Sequence, residues 1–253
     1  MKKTEESDLT KFNLKGKVET VGEFDTISNH RFKVTYIFNQ VGNIIAHQTF
    51  DKQGSQEFLY ENIYDDNGVF IKETCKGKKG VLSSAIMGYD ENGNIISEKG
   101  IKPDGTTTFV NTFEYKEFGH VIEETRSTKP NGKIDFKIVS KLDDKYNIVE
   151  NQVYNSKGLL DNKSTYNHDE KGRVIERREY YTGDILERLS TYQYDTDGNM
   201  VERKTIDADD TLLEKVTYMY SDIDENGNWL EKQEFIDDEL FETTRRTILY
   251  FED

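Results

Sequence analysis

Four histidines, His30, His47, His120 and His168, one cysteine, Cys75, and 49 acidic residues are the groups of this 253-residue chain that could bind a metal or move a proton. The histidines are scattered and never take His-x3-His spacing, and Cys75 has no second cysteine for a CxxC pair or a disulfide, so a zinc site has little support. Cys75 reads as a strand residue beside the turn Lys76-Gly77-Lys78-Lys79-Gly80. The segment Asp222-Ile223-Asp224-Glu225-Asn226-Gly227 matches the first half of a calcium-binding loop. Its twelfth position should be a bidentate glutamate and is Gln233, so an Asp/Asn-rich hairpin turn is the better reading. His168-Asp169-Glu170 sets an imidazole beside carboxylates, the raw material of general acid–base chemistry. However, His168 stands where other parts of the chain carry an aromatic residue. No GxSxG, HExxH, P-loop or GxGxxG pattern occurs. The sequence therefore assigns no catalytic residue, no cofactor and no metal ligand.

Other candidates have structural readings of equal force. Glu123, Glu150, Glu176, Glu202 and Glu231 recur at one place in a repeat. Recurrence points to a solvated strand face, because an active site is ordinarily unique. Arg173, Arg177, Arg178 and Arg188 alternate with Glu176, Glu179 and Glu187, which predicts cross-strand ion pairs. Trp229, the single tryptophan, is the one speculative ligand contact, as a sugar platform or an interface anchor. Its position directly after a turn better suits packing at the end of a sheet.

The elements that carry these residues follow from a period. Similar turns recur at Gly42, Gly68, Gly93, Gly119, Gly172, Gly198 and Gly227, with Tyr146 in the glycine slot of one further copy. The spacings are 26, 25, 26, 27, 26, 26 and 29. Two and three residues after each slot stands an apolar pair, from Ile44-Ile45 to Trp229-Leu230. Six and four residues before it stand pairs such as Tyr36/Phe38, Met87/Tyr89 and Tyr192/Tyr194, whose spacing of two shares one strand face. In the last copy Ser221 to Ile223 push Tyr218/Tyr220 upstream. A second turn falls midway, at Gly54, Gly80, Gly105, Gly132, Gly158, Gly183, Asp210 and Asp238. Asp104-Gly105 and Asn131-Gly132 are strong hairpin signals. The eight units predict sixteen strands, with another near Val18 to Phe24, and no sustained helical stripe is present. The expected fold is all-β: a long antiparallel meander of hairpin repeats in a single sheet that is curled, spiral or barrel-like, covering part of its second face. Residues 1–13 read as a flexible tail and 14–253 as one β domain. Within it, 14–30 form an N-terminal cap, 31–240 the repeats and 241–253 a C-terminal cap strand.

Composition narrows the partners. With 34 basic and 49 acidic residues the net charge is −15, which repels nucleic acid and anionic membranes. Aromatics at 12% exceed what disordered chains carry and imply a thin aromatic core. No apolar run reaches the ~18 residues of a transmembrane helix, and no signal-like core follows Met1-Lys2-Lys3. The protein is expected in the cell envelope or secreted if an export signal has been trimmed, and otherwise in the cytoplasm.

Tyr192-Gln193-Tyr194-Asp195-Thr196-Asp197-Gly198-Asn199, echoed by Gly88-Tyr89-Asp90-Glu91-Asn92-Gly93-Asn94, resembles the YD repeat of bacterial RHS-type proteins. Leu14-Lys15-Gly16-Lys17-Val18 and Gly227-Asn228-Trp229 look like short YD-repeat-like proteins of the bacterial envelope. The resemblance spans roughly residues 14 to 251, without the core motif and variable toxin of RHS proteins. It implies a non-enzymatic repeat scaffold or binding module of the envelope, with a carbohydrate or protein ligand. An immunity or antitoxin-like cytoplasmic protein, steered by its charge to a basic toxin, is the alternative. A carboxylate-dependent hydrolase has no motif behind it.

Overall fold

The computed structural model describes residues 7–25, 33–51, 53–128, 132–181 and 183–252; His30 and Asn131 lie outside them. The described chain is all-β, and its strands belong to one sheet. They are β1 (Val18–Asp25), β2 (Lys33–Phe38), β3 (Ile44–Phe50), β4 (Gln56–Tyr64), β5 (Phe70–Gly77), β6 (Gly80–Tyr89), β7 (Ile95–Ile101), β8 (Thr107–Lys116) and β9 (Val121–Ser127). There follow β10 (Phe136–Leu142), β11 (Ile148–Asn155), β12 (Leu160–His168), β13 (Val174–Tyr181), β14 (Ile185–Tyr194), β15 (Met200–Asp207), β16 (Leu212–Ile223), β17 (Trp229–Ile236) and β18 (Glu239–Tyr250). Sixteen of them, β2 to β17, are the two strands of eight units. The other two frame the repeats: β1 pairs antiparallel with β2 and also with β18, so the ladder returns to its first strand. The only helical turns among the described residues are α1 (Asp8–Lys11) and a 3-10 turn at Glu117–Gly119. No helix among them is long and apolar enough to cross a membrane.

The turns explain the spacing. In Asp65–Val69 the Gly68 N–H donates to the Asp65 carbonyl at 2.9 Å and the Asp65 N–H to the Val69 carbonyl at 2.8 Å. Asp65 Oδ1 accepts from the N–H groups of Asn67 and Val69 at 2.9 and 2.8 Å. A carboxylate that bonds its own following backbone fixes such a turn locally. The same bonds recur at Asp90, Asp143 and Asp224. The seven first-turn glycines have φ between +79° and +94°, and Tyr146 takes φ +63° in the slot where glycine is missing.

After the turn the ladder slips by one residue. Ile37 pairs with Ala46 but Phe38 with Ile44, and the same slip occurs at Tyr64/Phe70, Leu142/Ile148 and His168/Val174. Each is a bulge, which puts two residues opposite one and changes which face a side chain takes. Ile44 thus joins the face of Phe38, and Ile45 is the extra residue. Cover over the second face is partial, as expected: Ile45, Ile96 and Ile175 are 37%, 41% and 39% exposed, whereas Ile71, Ile122, Val149, Val201 and Leu230 at the same place are half-buried.

Two compact units divide the chain. Ala85–Tyr194 with Glu202–Lys215 makes one, and the described residues up to Ser84 with Asp195–Val201 and Val216–Asp253 make the other. The apolar residues buried among the described ones, Leu14, Val18, Val21, Phe38, Val216 and Trp229, all belong to the second. Ser7–Asn13, within the stretch expected as a tail, instead dock in this unit. Ser7 caps α1, Leu9 and Phe12 pack on the core cluster of Leu14, Val18, Val21 and Phe38, and the Leu9 N–H donates to the Gly42 carbonyl at 3.0 Å. Polar composition hid these two apolar anchors.

Candidate functional site

The repeated side chains with chemistry are held by the backbone. Tyr64, Tyr115, Tyr194 and Tyr220 donate their hydroxyls to the carbonyls of Ile44, Ile95, Val174 and Met200 at 2.7 to 3.0 Å, in each case twenty residues earlier. The aspartate that follows Tyr64, Tyr89 and Tyr194 anchors the next turn. The tyrosine therefore ties its strand to the start of the strand before it, and the aspartate closes the turn that follows. Burial raises the pKa of the Tyr115, Tyr194 and Tyr220 phenols. Burial also pushes up the carboxyls of Asp143, Asp169 and Asp224, yet their hydrogen bonds outweigh it and hold all three below the usual carboxylate range. In the segment read against a calcium loop, Asp224 accepts from Asn226 N–H, Asn228 N–H and the Tyr250 hydroxyl.

The histidines and arginines are similarly engaged. His47 stacks on Tyr60 at 4.3 Å between centroids, and burial lowers its pKa. It lies directly opposite Tyr36 and Tyr60, in a row that continues to Cys75. His120 stacks on Tyr146 at 5.1 Å. His168 lines a shallow 360 Å³ cleft with Asp143, Tyr166 and Asp169. Asp169 is bound to the Arg173 guanidinium, Nε at 2.7 Å, and so is not oriented toward the imidazole as a catalytic partner. Arg177 pairs with Glu179 and Arg178 with Glu176, at 2.6 and 2.8 Å. These pairs run along β13, not across strands as expected, because residues two apart on a strand share a face. The recurrent glutamates do reach across strands: Glu150 meets Lys141 at 2.8 Å and Glu231 meets Arg245 at 2.9 Å, each directly opposite its partner.

Trp229 is 8% exposed. The Arg246 guanidinium carbon lies 3.4 Å from its ring centroid and Tyr220 packs beside it at 5.5 Å. A stacking platform needs a free ring face, and here the guanidinium takes it. Arg246 in turn bonds Glu23 at 2.7 Å. The two residues are 223 positions apart, so no local signal in the sequence connects them.

A larger opening lies in the first unit. A cleft of about 640 Å³ is lined by Lys99, Thr108, Thr112, Thr125, Ser127 and Ile134, among others, and none of the described residues in its wall is a carboxylate, histidine or cysteine. Its hydroxyls sit on neighbouring strands: Thr112 pairs with Thr125 across β8 and β9, their oxygens 2.6 Å apart. The run Thr106-Thr107-Thr108 was the available sequence signal.

No family model matches the chain, and no curated protein does. Among solved structures the chain is similar to a porin-like protein from Bacteroides uniformis ATCC 8492, at 11% identity and a TM-score of 0.48, over 93% of this chain and 99% of that one. It is also similar to a porin-like protein from Bacteroides vulgatus ATCC 8482, at 11% identity and a TM-score of 0.37, over 92% and 98%. The Photorhabdus luminescens Tc holotoxin pore matches at 12% identity and a TM-score of 0.18, over 80% of this chain and 15% of that one.

Proposed function

We propose that the protein is a non-enzymatic β-repeat binding module that takes a carbohydrate in the cleft of the first unit. One observation carries this reading. The tyrosines and aspartates that recur from repeat to repeat are bonded to backbone, whereas the 640 Å³ cleft is walled, among the described residues, by hydroxyls and apolar groups with Lys99 at its side. Such a wall offers hydrogen bonds to a polyol and apolar contact to its C–H faces, without a group that would attack it. A place in the cell envelope is supported by the resemblance of the Tyr-x-Tyr-Asp motif to YD repeats.

The test is a glycan array followed by calorimetric titration of any glycan retained, with Thr112→Arg to fill the cleft. Binding that Thr112→Arg abolishes supports the reading. No retained glycan, with selective capture of a basic protein released at modest salt, would replace it with the immunity-type alternative.

A further inference from the structure

On the other face of β8 a different set of side chains meets. β7 pairs Glu98 with Asn111, β8 pairs Asn111 with Arg126 and Phe113 with Glu124, and β10 sets Phe136 opposite Arg126. Alternation along a strand puts Asn111 opposite in direction to Val110 and Thr112 of the cleft, and puts Glu124 and Arg126 on Asn111's face. Asn111 is 4% exposed. Its Nδ2 donates to Glu98 Oε2 at 2.8 Å, while its Oδ1 is buried and has no donor. A buried acceptor without a donor is costly, so it points to a missing one.

The charges beside it are answered only in part. Glu124 is half-buried and forms no ion pair among the described residues. Burial, and then the charge of Glu98, raise its pKa, with Arg126 opposing. The Arg126 guanidinium lies over the Phe109 ring at 4.3 Å and 6.0 Å from that of Phe136, with no carboxylate in ion-pair range among the described residues. Glu124 and Arg126 are two residues apart on β9, about 6.6 Å along the strand. A buried acceptor short of a donor thus stands beside two carboxylates and a guanidinium without an ion-pair partner among the described residues. A neutral sugar would leave both charges unmet, and a bare cation would meet repulsion from Arg126.

We propose that Glu98, Asn111, Glu124 and Arg126 recognise a small zwitterion of the α-amino-acid class. Its ammonium donates to Asn111 Oδ1 and the two carboxylates, and its carboxylate takes the planar guanidinium fork of Arg126. Phe109 and Phe136 form apolar walls beside it. The site extends the binding-module reading; it has Phe109 in common with the cleft lining but no charged group, so the two can fail separately.

The test is calorimetric titration of the full chain with L-alanine, L-leucine and L-phenylalanine, each beside its N-acetyl and C-amide derivative. Binding of at least one parent amino acid is expected, with about tenfold or more weakening in both derivatives, since each loses one charge-assisted contact. Glu124→Gln and Arg126→Lys should weaken the same ligand similarly, and Thr112→Arg should leave it unchanged. Absence of binding by every parent, or derivatives that bind as well as their parents, would overturn the proposal, and both readouts use the unmodified protein. A ligand whose affinity Glu124→Gln leaves intact, in a variant that melts like the parent, would overturn it too.

Discussion

Arg246→Met should destabilise the protein more than the loss of any surface ion pair. Glu23 and Arg246 face each other in the β1–β18 ladder, and Nε and Nη2 of the arginine both lie 2.7 Å from Glu23 Oε1. The arginine side chain is 8% exposed and the glutamate 23%. Burial pushes the Arg246 pKa down, and Glu23 opposes that shift. Removing one member of a buried pair costs about 3–5 kcal/mol, and the residual solvent access of Glu23 argues for about 3. Losing the guanidinium over Trp229 adds about 1 kcal/mol, giving about 4 for the variant. Glu23→Leu, which strands the arginine, should cost about 3 kcal/mol, whereas the double variant replaces both charges with apolar groups and should cost about 2 or less. The assay is urea unfolding of the four proteins by far-UV circular dichroism, read as a double-mutant cycle. A coupling of about 5 kcal/mol is expected. The exposed pair Arg188–Glu187, 53% and 47% accessible, serves as control and should yield no more than about 0.5 kcal/mol. If Arg246→Met cost under about 1 kcal/mol, or the two changes were additive, the pair would not hold the closing strands together and the reasoning would fail.

Three further outcomes test the repeat chemistry. Gly198 sits at φ +94°, so Gly198→Val should cost about 1–2 kcal/mol in thermal or urea unfolding, and an unchanged melting temperature would contradict the turn assignment. Tyr194→Phe deletes the 2.8 Å bond to the Val174 carbonyl and should cost about 1 kcal/mol with the strand content retained by circular dichroism. Asp224 is held below its ordinary pKa, burial being outweighed by bonds from Tyr250, Asn228 and Asn226. A depressed folded value means its stabilisation is complete above the unfolded pKa of about 4 and is lost as pH falls through the folded one, so Asp224→Asn should flatten the acid limb of stability against pH between about 5 and 2.

Much of the fold is legible in the sequence because it is local. Alternation within six or seven residues sets a strand, and an Asp-to-Gly segment closes a turn through bonds that span four residues, as at Asp65–Val69. Eight copies of both repeat the message, which is how Tyr146 can be placed in a glycine slot before its φ is known. The second face was harder to read. The apolar pair after each turn is divided by a bulge, and a bulge depends on the partner strand, which the local pattern does not contain.

What the sequence determined alone was therefore the period, the strand class, the turn residues and the absence of any repeated catalytic pattern. Only the tertiary structure decided which distant residues meet. Arg246 covers Trp229 and bonds Glu23; Leu9 and Phe12 join the core; and Glu98, Asn111, Glu124 and Arg126 come together across three strands. The contacts between strands are set by register, and a slip of a single residue would turn those strand side chains to the opposite face.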